Sequence, residues 1–287
     1  MSIANTASPR RRRGRRTAVV AGGAAYLVTF LIILPILWII LLSFQPRDRI
    51  LSSPFSLDAL TTDNYRRALE MLPLARMYAN TIFVAVVSVT VGAVISFMSA
   101  FALTRMVFRR RRFQSALRLY LLAGLAVPVY ILLFPIYRIV LAMGLFGTWA
   151  SLILPYVAVT IPFNTLLFTG FLKEFPDELE EAAIMDGTGL TRLCWSVVLP
   201  VMRPVIATIF IFNIVYVFNE FPFVSILIND SDMATLSLAV SKFQGQYVAD
   251  YGGMMAAATL VLLPQLIIYA VFQKQVIAGL TAGAVKG

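Results

Sequence analysis

The sequence predicts an all-α, polytopic membrane protein with six transmembrane helices. Three observations carry that prediction. The chain of 287 residues is 60% hydrophobic and only 13% charged, where a soluble domain carries about 25% charged residues. Its mean hydropathy is +0.84. Its apolar residues also gather into six runs, each long enough to cross the hydrocarbon core, which takes about 20 helical residues. A water-soluble fold of this size has nowhere to hide so much apolar surface, so lipid is the solvent for much of it.

The six runs cover residues 18–44, 80–104, 119–143, 150–172, 201–227 and 254–272. The first follows Arg10 to Arg13, Arg15 and Arg16 and resembles a signal peptide at first sight. It is longer than a signal's apolar region, and no small-residue cleavage site follows it. We read it as an uncleaved first helix. Pro35, Pro128, Pro135, Pro155, Pro162, Pro222 and Pro264 fall inside the runs. Membrane helices tolerate proline because neighbours satisfy the freed carbonyls, so these predict kinks rather than ends. Gly92, Ala93, Ser96, Ser99 and Ala100 are small enough to let the second helix pack closely on a neighbour.

The basic residues orient the chain, because lysine and arginine collect on the cytoplasmic side. With the N-terminus inside, the inner segments hold the six N-terminal arginines, Arg105, Arg109 to Arg112, Arg118, Lys173, Arg192, Arg203, Lys274 and Lys286. The outer segments hold Arg47, Arg49, Arg66, Arg67, Arg76 and Lys242, and Arg138 sits near the outer end of the third run. Both termini are therefore expected in the cytoplasm of a multi-pass protein of the cell membrane. The chain divides into a basic cytoplasmic tail (1–17), a first helix (18–44), an extracytoplasmic loop (45–79), a core of five helices (80–275) and a cytoplasmic C-terminal tail (276–287). A short interfacial helix is expected over residues 69–74. The net charge of +10 follows from this topology. The arginines flank apolar spans rather than covering a soluble face, which argues against nucleic acid as a partner.

Several chemistries are excluded by composition. There is no histidine and a single cysteine, Cys194. No disulfide within the chain, no zinc site of the usual Cys/His type and no Ser-His or Cys-His nucleophile can form. No Gly-Lys-Ser/Thr sequence occurs, so the chain has no P-loop. We assign no catalytic residue and no metal ligand. If ATP is used, another chain binds it.

The segment between the fourth and fifth runs (173–200) differs from the other loops. Residues 175–187 read FPDELEEAAIMDG and residues 188–200 read TGLTRLCWSVVLP. Asp177 is expected as an N-cap, with Glu180 three residues later reaching back as in a capping box. Acidic residues in the first turn suit the helix dipole. Leu179, Ala182, Ala183 and Met185 give the short helix an apolar side, and Gly187 supplies a stop. A second short helix is expected over residues 188–198, with Pro200 leading into the next span. On these residues alone, two readings stand: an ordinary solvated loop with helical caps, or a small-residue docking surface ringed by carboxylates.

The spacing of Glu181-Ala182-Ala183, Gly187, Val197 and Leu199-Pro200 resembles the EAA loop of ABC importer permeases. The one departure is Val197, where isoleucine is usual. Asp63-Asn64-Tyr65, the lead-in from Phe175 to Ala183, Gln273 and the end from Gly279 to Gly287 resemble the maltose-permease-like sugar family, specifically its second six-helix subunit. Phe218 departs from the tryptophan that this family often carries. The resemblance runs from about the first helix to the last residue. It implies a type I ABC importer permease fold. It also implies a second permease subunit as partner in a heterodimer, two ATPase subunits that bind ATP and Mg, and an extracytoplasmic solute-binding protein that delivers a sugar. It gives Glu181, Ala182, Ala183, Gly187, Leu199 and Pro200 the role of coupling to the ATPase. For the C-terminal tail it implies a contact in the ATPase dimer interface, against the plain alternative of a frayed end.

Polar residues inside a span are costly, roughly 2.5–3.5 kcal/mol for a charge at its centre, so they face protein or water. The fifth run contains Asn213, Tyr216, Asn219 and Glu220, of which 213, 216 and 220 share one helix face. Two readings stand for these as well: contacts to sugar hydroxyls along the translocation path, or hydrogen bonds to the partner permease. An ion-coupled secondary transporter is the alternative by class. It needs coupling-ion residues within its spans and usually a repeat. Apart from Glu220 and Arg138 the spans are nearly free of charge, and no repeat is evident.

Overall fold

The computed structural model describes residues 9–245 and 249–282. Residues 1–8 of the basic tail and 283–287 of the C-terminal tail lie outside them. The described chain is helical throughout, with no strand beyond a single bridge between Gln244 and Ala249. Four helices are long and apolar enough to cross a membrane: Ala21–Ser43 within α1 (Pro9–Ser43), α3 (Leu74–Arg105), α6 (Trp149–Lys173) and Tyr251–Lys274 within α11 (Tyr251–Ala282). Two bent helix pairs bring the number to six when each pair is counted as one span. The third span breaks by 95° between α4 (Arg111–Ala123) and α5 (Leu133–Ala142), and the helix of the fifth span meets the last helix of the preceding loop, residues 190–201, at a bend of 72°.

The prolines act less uniformly than expected. Pro35, Pro155, Pro162 and Pro264 lie inside continuous helices. Pro128 instead sits at the sharp break of the third span, extended at φ −63°, ψ 121°. The fifth span is shorter than the expected 201–227. It runs as α9 (Arg203–Asn219), and a separate short helix α10 (Pro222–Leu227) follows the break at Glu220. Pro222 opens α10, where a missing N–H costs nothing.

The chain forms two compact units. Among the described residues, one joins 9–71 to 243–245 and 249–259. The expected helix over 69–74 lies earlier, as α2 (Asp63–Met71), because Pro73 stops it and opens α3. The Asp63-Asn64-Tyr65 stretch locks α2 to the end of α1. The buried Asn64 amide donates to the carbonyls of Ser43 and Gln45, each at 2.8 Å. The Tyr65 hydroxyl meets Ser43 Oγ at 2.6 Å, and its ring packs 4.9 Å from that of Phe44. The amide thus satisfies carbonyls that the end of α1 leaves without helical partners. Asp250 receives Arg47 at 3.1 Å within the same unit.

The other unit, residues 72–242 with 260–282 among those described, is built around α3 against α6. Phe83 meets Trp149, Phe97 meets Phe168 at 5.4 Å, and Arg105 reaches Leu172. Contacts advance together along both helices, so the second and fourth spans run parallel. Arg105 and the 173–200 loop therefore share one side. The small residues do what their size suggests. Gly92, Ala93, Ser96 and Ala100 are buried, whereas Ser99 is only half-buried. A Cβ added at Gly92 would stand 2.9 Å from Thr160 Oγ1. Gly92→Val should therefore overpack this interface at a cost of about 1–3 kcal/mol. A melting temperature several degrees lower in detergent, measured on the purified chain, is the expected result.

Candidate functional site

The 173–200 loop is a folded object rather than a solvated connection. Lys173 ends α6, Phe175 is buried, and Pro176 (φ −59°, ψ 119°) turns the chain into α7 (Asp177–Met185). The expected capping box does not form. Asp177 is the first helical residue rather than the cap, and no side chain caps this end. Glu180 turns instead to Arg105, whose Nε and Nη2 each approach its Oε1 at 2.6 Å. A charge-assisted bond from a guanidinium, with the ion pair around it, outcompetes a bond to a backbone N–H. The same Nη2 donates to the Leu172 carbonyl at 2.5 Å. Arg105 was legible in the sequence only as one more basic residue marking a side. No spacing signal links it to position 180.

The stop after α7 is as expected. Gly187 has φ +75°, a conformation that costs other residues roughly 1–2 kcal/mol. Its N–H bonds the Ile184 carbonyl at 2.9 Å, and the Thr188 N–H bonds the Ala183 carbonyl at 3.0 Å. This is the Schellman pairing, which satisfies the last carbonyls of a helix. The second helix of the loop, α8, begins at Leu190 and extends to Val201, past the expected end at 198. Its middle, Leu193–Val198, winds as a π-helix, with the Leu199 N–H bonding the Cys194 carbonyl. Pro200 explains the wider turn, because it has no N–H to give the carbonyl four residues back.

Apolar packing anchors the loop. Ala183, Leu193, Cys194 and Val198 are buried in one cluster with Phe97, Ala100 and Phe101 of α3, Phe168 and Leu172 of α6, and Met202, Val205 and Ile209. Leu199 is half-buried against it, and Pro200 is exposed. On α7, Ala183 alone faces this core. Glu181 and Ala182 are exposed, as are Leu179, Ile184 and Met185, the last at 87%. The apolar side of α7 thus faces away from the chain itself.

The four polar residues of the fifth span divide. Asn213 is buried and donates to Asn164 Oδ1 of α6 at 2.8 Å and to the Ile209 carbonyl at 2.7 Å. Tyr216 is half-buried, with its ring edge-on to Tyr156 at 6.2 Å. Its buried hydroxyl has no hydrogen-bond partner among the described residues. Asn213 and Tyr216 together line a half-open recess of about 270 Å³ with Val159, Thr160, Phe163 and Phe212. Asn219 is exposed and bonds Gln265 of α11 at 3.0 Å. Glu220 is only 2% exposed. It accepts from the Tyr156 hydroxyl at 2.6 Å and from the N–H groups of Phe223 and Val224 at 2.9 and 3.4 Å, so it caps α10. Sequence reasoning missed Asn164, Tyr156 and Gln265. Each is a polar side chain inside an apolar run, which was the available signal.

Residues 92–281, more than half of the chain, match the family described as the binding-protein-dependent transport system inner membrane component, and the chain belongs to that family of ABC importer permeases. The Streptomyces coelicolor diacetylchitobiose uptake system permease protein NgcG is 32% identical over 275 residues, covering 95% of this chain and 90% of its own. The Mycobacterium tuberculosis trehalose transport system permease protein SugB is 30% identical over 281 residues, covering 96% of this chain and all of its own (100%). The fold is shared with a chain of a bacterial ABC transporter involved in import of the acidic polysaccharide alginate, at a TM-score of 0.70 and 19% identity, over 92% of this chain and 97% of that one. Both relatives are named as permease proteins of uptake or transport systems.

Glu220→Ala should strip Tyr156 and the start of α10 of their partner at once. We expect a loss of about 1.5–3 kcal/mol of stability, the range for hydrogen bonds to a charged group. Asn219→Ala should cost well under 1 kcal/mol, as an exposed amide does. Thermal unfolding of both variants in the same detergent checks the order.

Proposed function

We propose that this chain forms, with a second permease subunit, the translocation path for a sugar or oligosaccharide delivered by an extracytoplasmic solute-binding protein. The similar permeases named for diacetylchitobiose and trehalose support the sugar class. Two separate ATPase subunits bind ATP and Mg and drive the cycle. The excess of arginine and lysine beside the 173–200 loop supports a cytoplasmic position for that loop and for both termini.

One observation carries the coupling role. Helix α7 presents Glu181, Ala182, Ile184 and Met185 outward while the loop behind it is packed into the core. An exposed apolar face of this kind, rimmed by carboxylates, fits a cleft of another protein better than it fits water. Ala182 is small enough for close helix docking, and Glu181 is placed to meet a basic residue of the ATPase. Gly187 holds the turn that sets the angle between α7 and α8, and Leu199 and Pro200 carry the loop into the fifth span. Closure of the ATPase dimer on ATP then moves the loop as a rigid body, and the spans rock between inward-facing and outward-facing states. Hydrolysis resets them.

For the path itself, the recess beside Asn213 and Tyr216 pairs aromatic rings with an amide and a free hydroxyl, groups suited to a sugar's apolar face and its hydroxyls. Asn219 and Glu220 are held by partners within the chain. They act on the path by shaping it.

In the reconstituted complex, Gly187→Asp or Glu181→Lys should lower transport-stimulated ATP hydrolysis about tenfold, the effect of about 1.4 kcal/mol on the coupled step. Membrane insertion should be unchanged. Normal stimulation in either variant would refute the coupling assignment.

A further inference from the structure

We propose that Arg105 is the joint that ties the coupling helix to the second and fourth spans, so that the three move as one body. The inference rests on the reading of the 173–200 loop as the coupling element and names the residue that makes it rigid.

Three elements meet at one guanidinium. Arg105 is the last residue of α3, so its backbone belongs to the second span. Its Nη2 holds the carbonyl of Leu172, in the last turn of α6, where helical carbonyls lack partners of their own. Its Nε and Nη2 hold the Glu180 carboxylate of α7. Both side chains are largely withdrawn from solvent, at 15% and 14% exposure, and such a pair is screened by salt much less than a surface pair.

The rest of α7 is weakly attached. Ala183 is its one buried residue, and a methyl group buries little area. Asp177, Glu178 and Glu181 are exposed and form no ion pair with the described residues. Arg109 to Arg112 form none either, so they do not substitute for Arg105. A force applied to the exposed face of α7 therefore passes to the spans through the short link from Lys173 with its buried Phe175, through Ala183, through the turn at Gly187 and through the Arg105 fork. Among the polar contacts of the described residues of α7, the fork is the one that reaches two spans at once. A planar guanidinium can serve the carboxylate and the carbonyl together, whereas a lysine ammonium on a flexible stem holds both less firmly. Arg105 acts through the helices that it joins, as a positioning residue, and touches neither solute nor nucleotide.

The test is the amount of solute imported per ATP hydrolysed, in proteoliposomes holding the assembled complex, for Arg105→Ala, Arg105→Lys, Glu180→Ala and the double alanine variant. The ratio should fall about tenfold in Arg105→Ala, as expected for loss of a charge-assisted contact from the coupled step. Arg105→Lys should recover part of it. The double variant should be no worse than Arg105→Ala alone, since both changes remove one interaction. A wild-type ratio in Arg105→Ala, counted per assembled complex, would overturn the proposal even if that variant assembles poorly. Losses that simply add in the double variant would overturn it too. Co-purification separates this from the underlying reading. If no ATPase accompanies the wild-type chain, the coupling role and the joint both fall. If an ATPase accompanies Arg105→Ala and the ratio is unchanged, only the joint does.

Discussion

A polar group inside an apolar span has to find its partner within the protein, because hydrocarbon offers none. Much of this structure follows from that constraint. Thr81, Ser88, Ser96, Thr104 and Thr160 return their hydroxyls to carbonyls four residues back, at 2.6–2.9 Å. Larger polar groups cannot be satisfied so locally, and they fix how helices meet. Asn213 needs Asn164, which sets the fourth span against the fifth. Glu220 needs Tyr156 and the N–H groups that open α10, which ends the fifth span where it does. This carboxylate is the pin of a buried junction.

The same logic governs the loop after the fourth span. Its two helices are short, and short helices are marginal by themselves in water. They persist because the turn at Gly187 closes the end of α7, Glu180 is tied to Arg105, and one face of the loop is buried. Leu193, Cys194 and Val198 sink α8 into the cluster formed by the spans. Proline at position 200 widens the preceding turn into a π-helix without breaking the element. What remains exposed is a small, mostly apolar surface with acidic residues at its edge, held on a rigid base.

The motif at Asp63-Asn64-Tyr65 has a comparable structural basis. Asn64 serves two carbonyls at the end of the first helix while Tyr65 packs against Phe44. Side chain and backbone are matched so closely there that Gly252 has no room for a Cβ against Asn64. The residue types can be read from the chain. The pairing across nearly two hundred positions cannot.

The sequence by itself determined the solvent, the helical class, the six spans, the side on which basic residues collect and the spacing of the loop motif. Those properties are set by local composition and period, because each span satisfies its own backbone and each needs about 20 apolar residues. It also placed Gly187, since a left-handed turn leaves few other choices. The tertiary structure decided what depends on partners far along the chain. It turned Glu180 from a cap into half of an ion pair with Arg105. It broke the third span at Pro128 and left Pro155 and Pro162 inside one continuous helix. It also buried Glu220 and exposed Asn219, although the two are neighbours in sequence. Side chains choose among competing partners by distance and charge, and distance between remote residues exists only once the spans have packed.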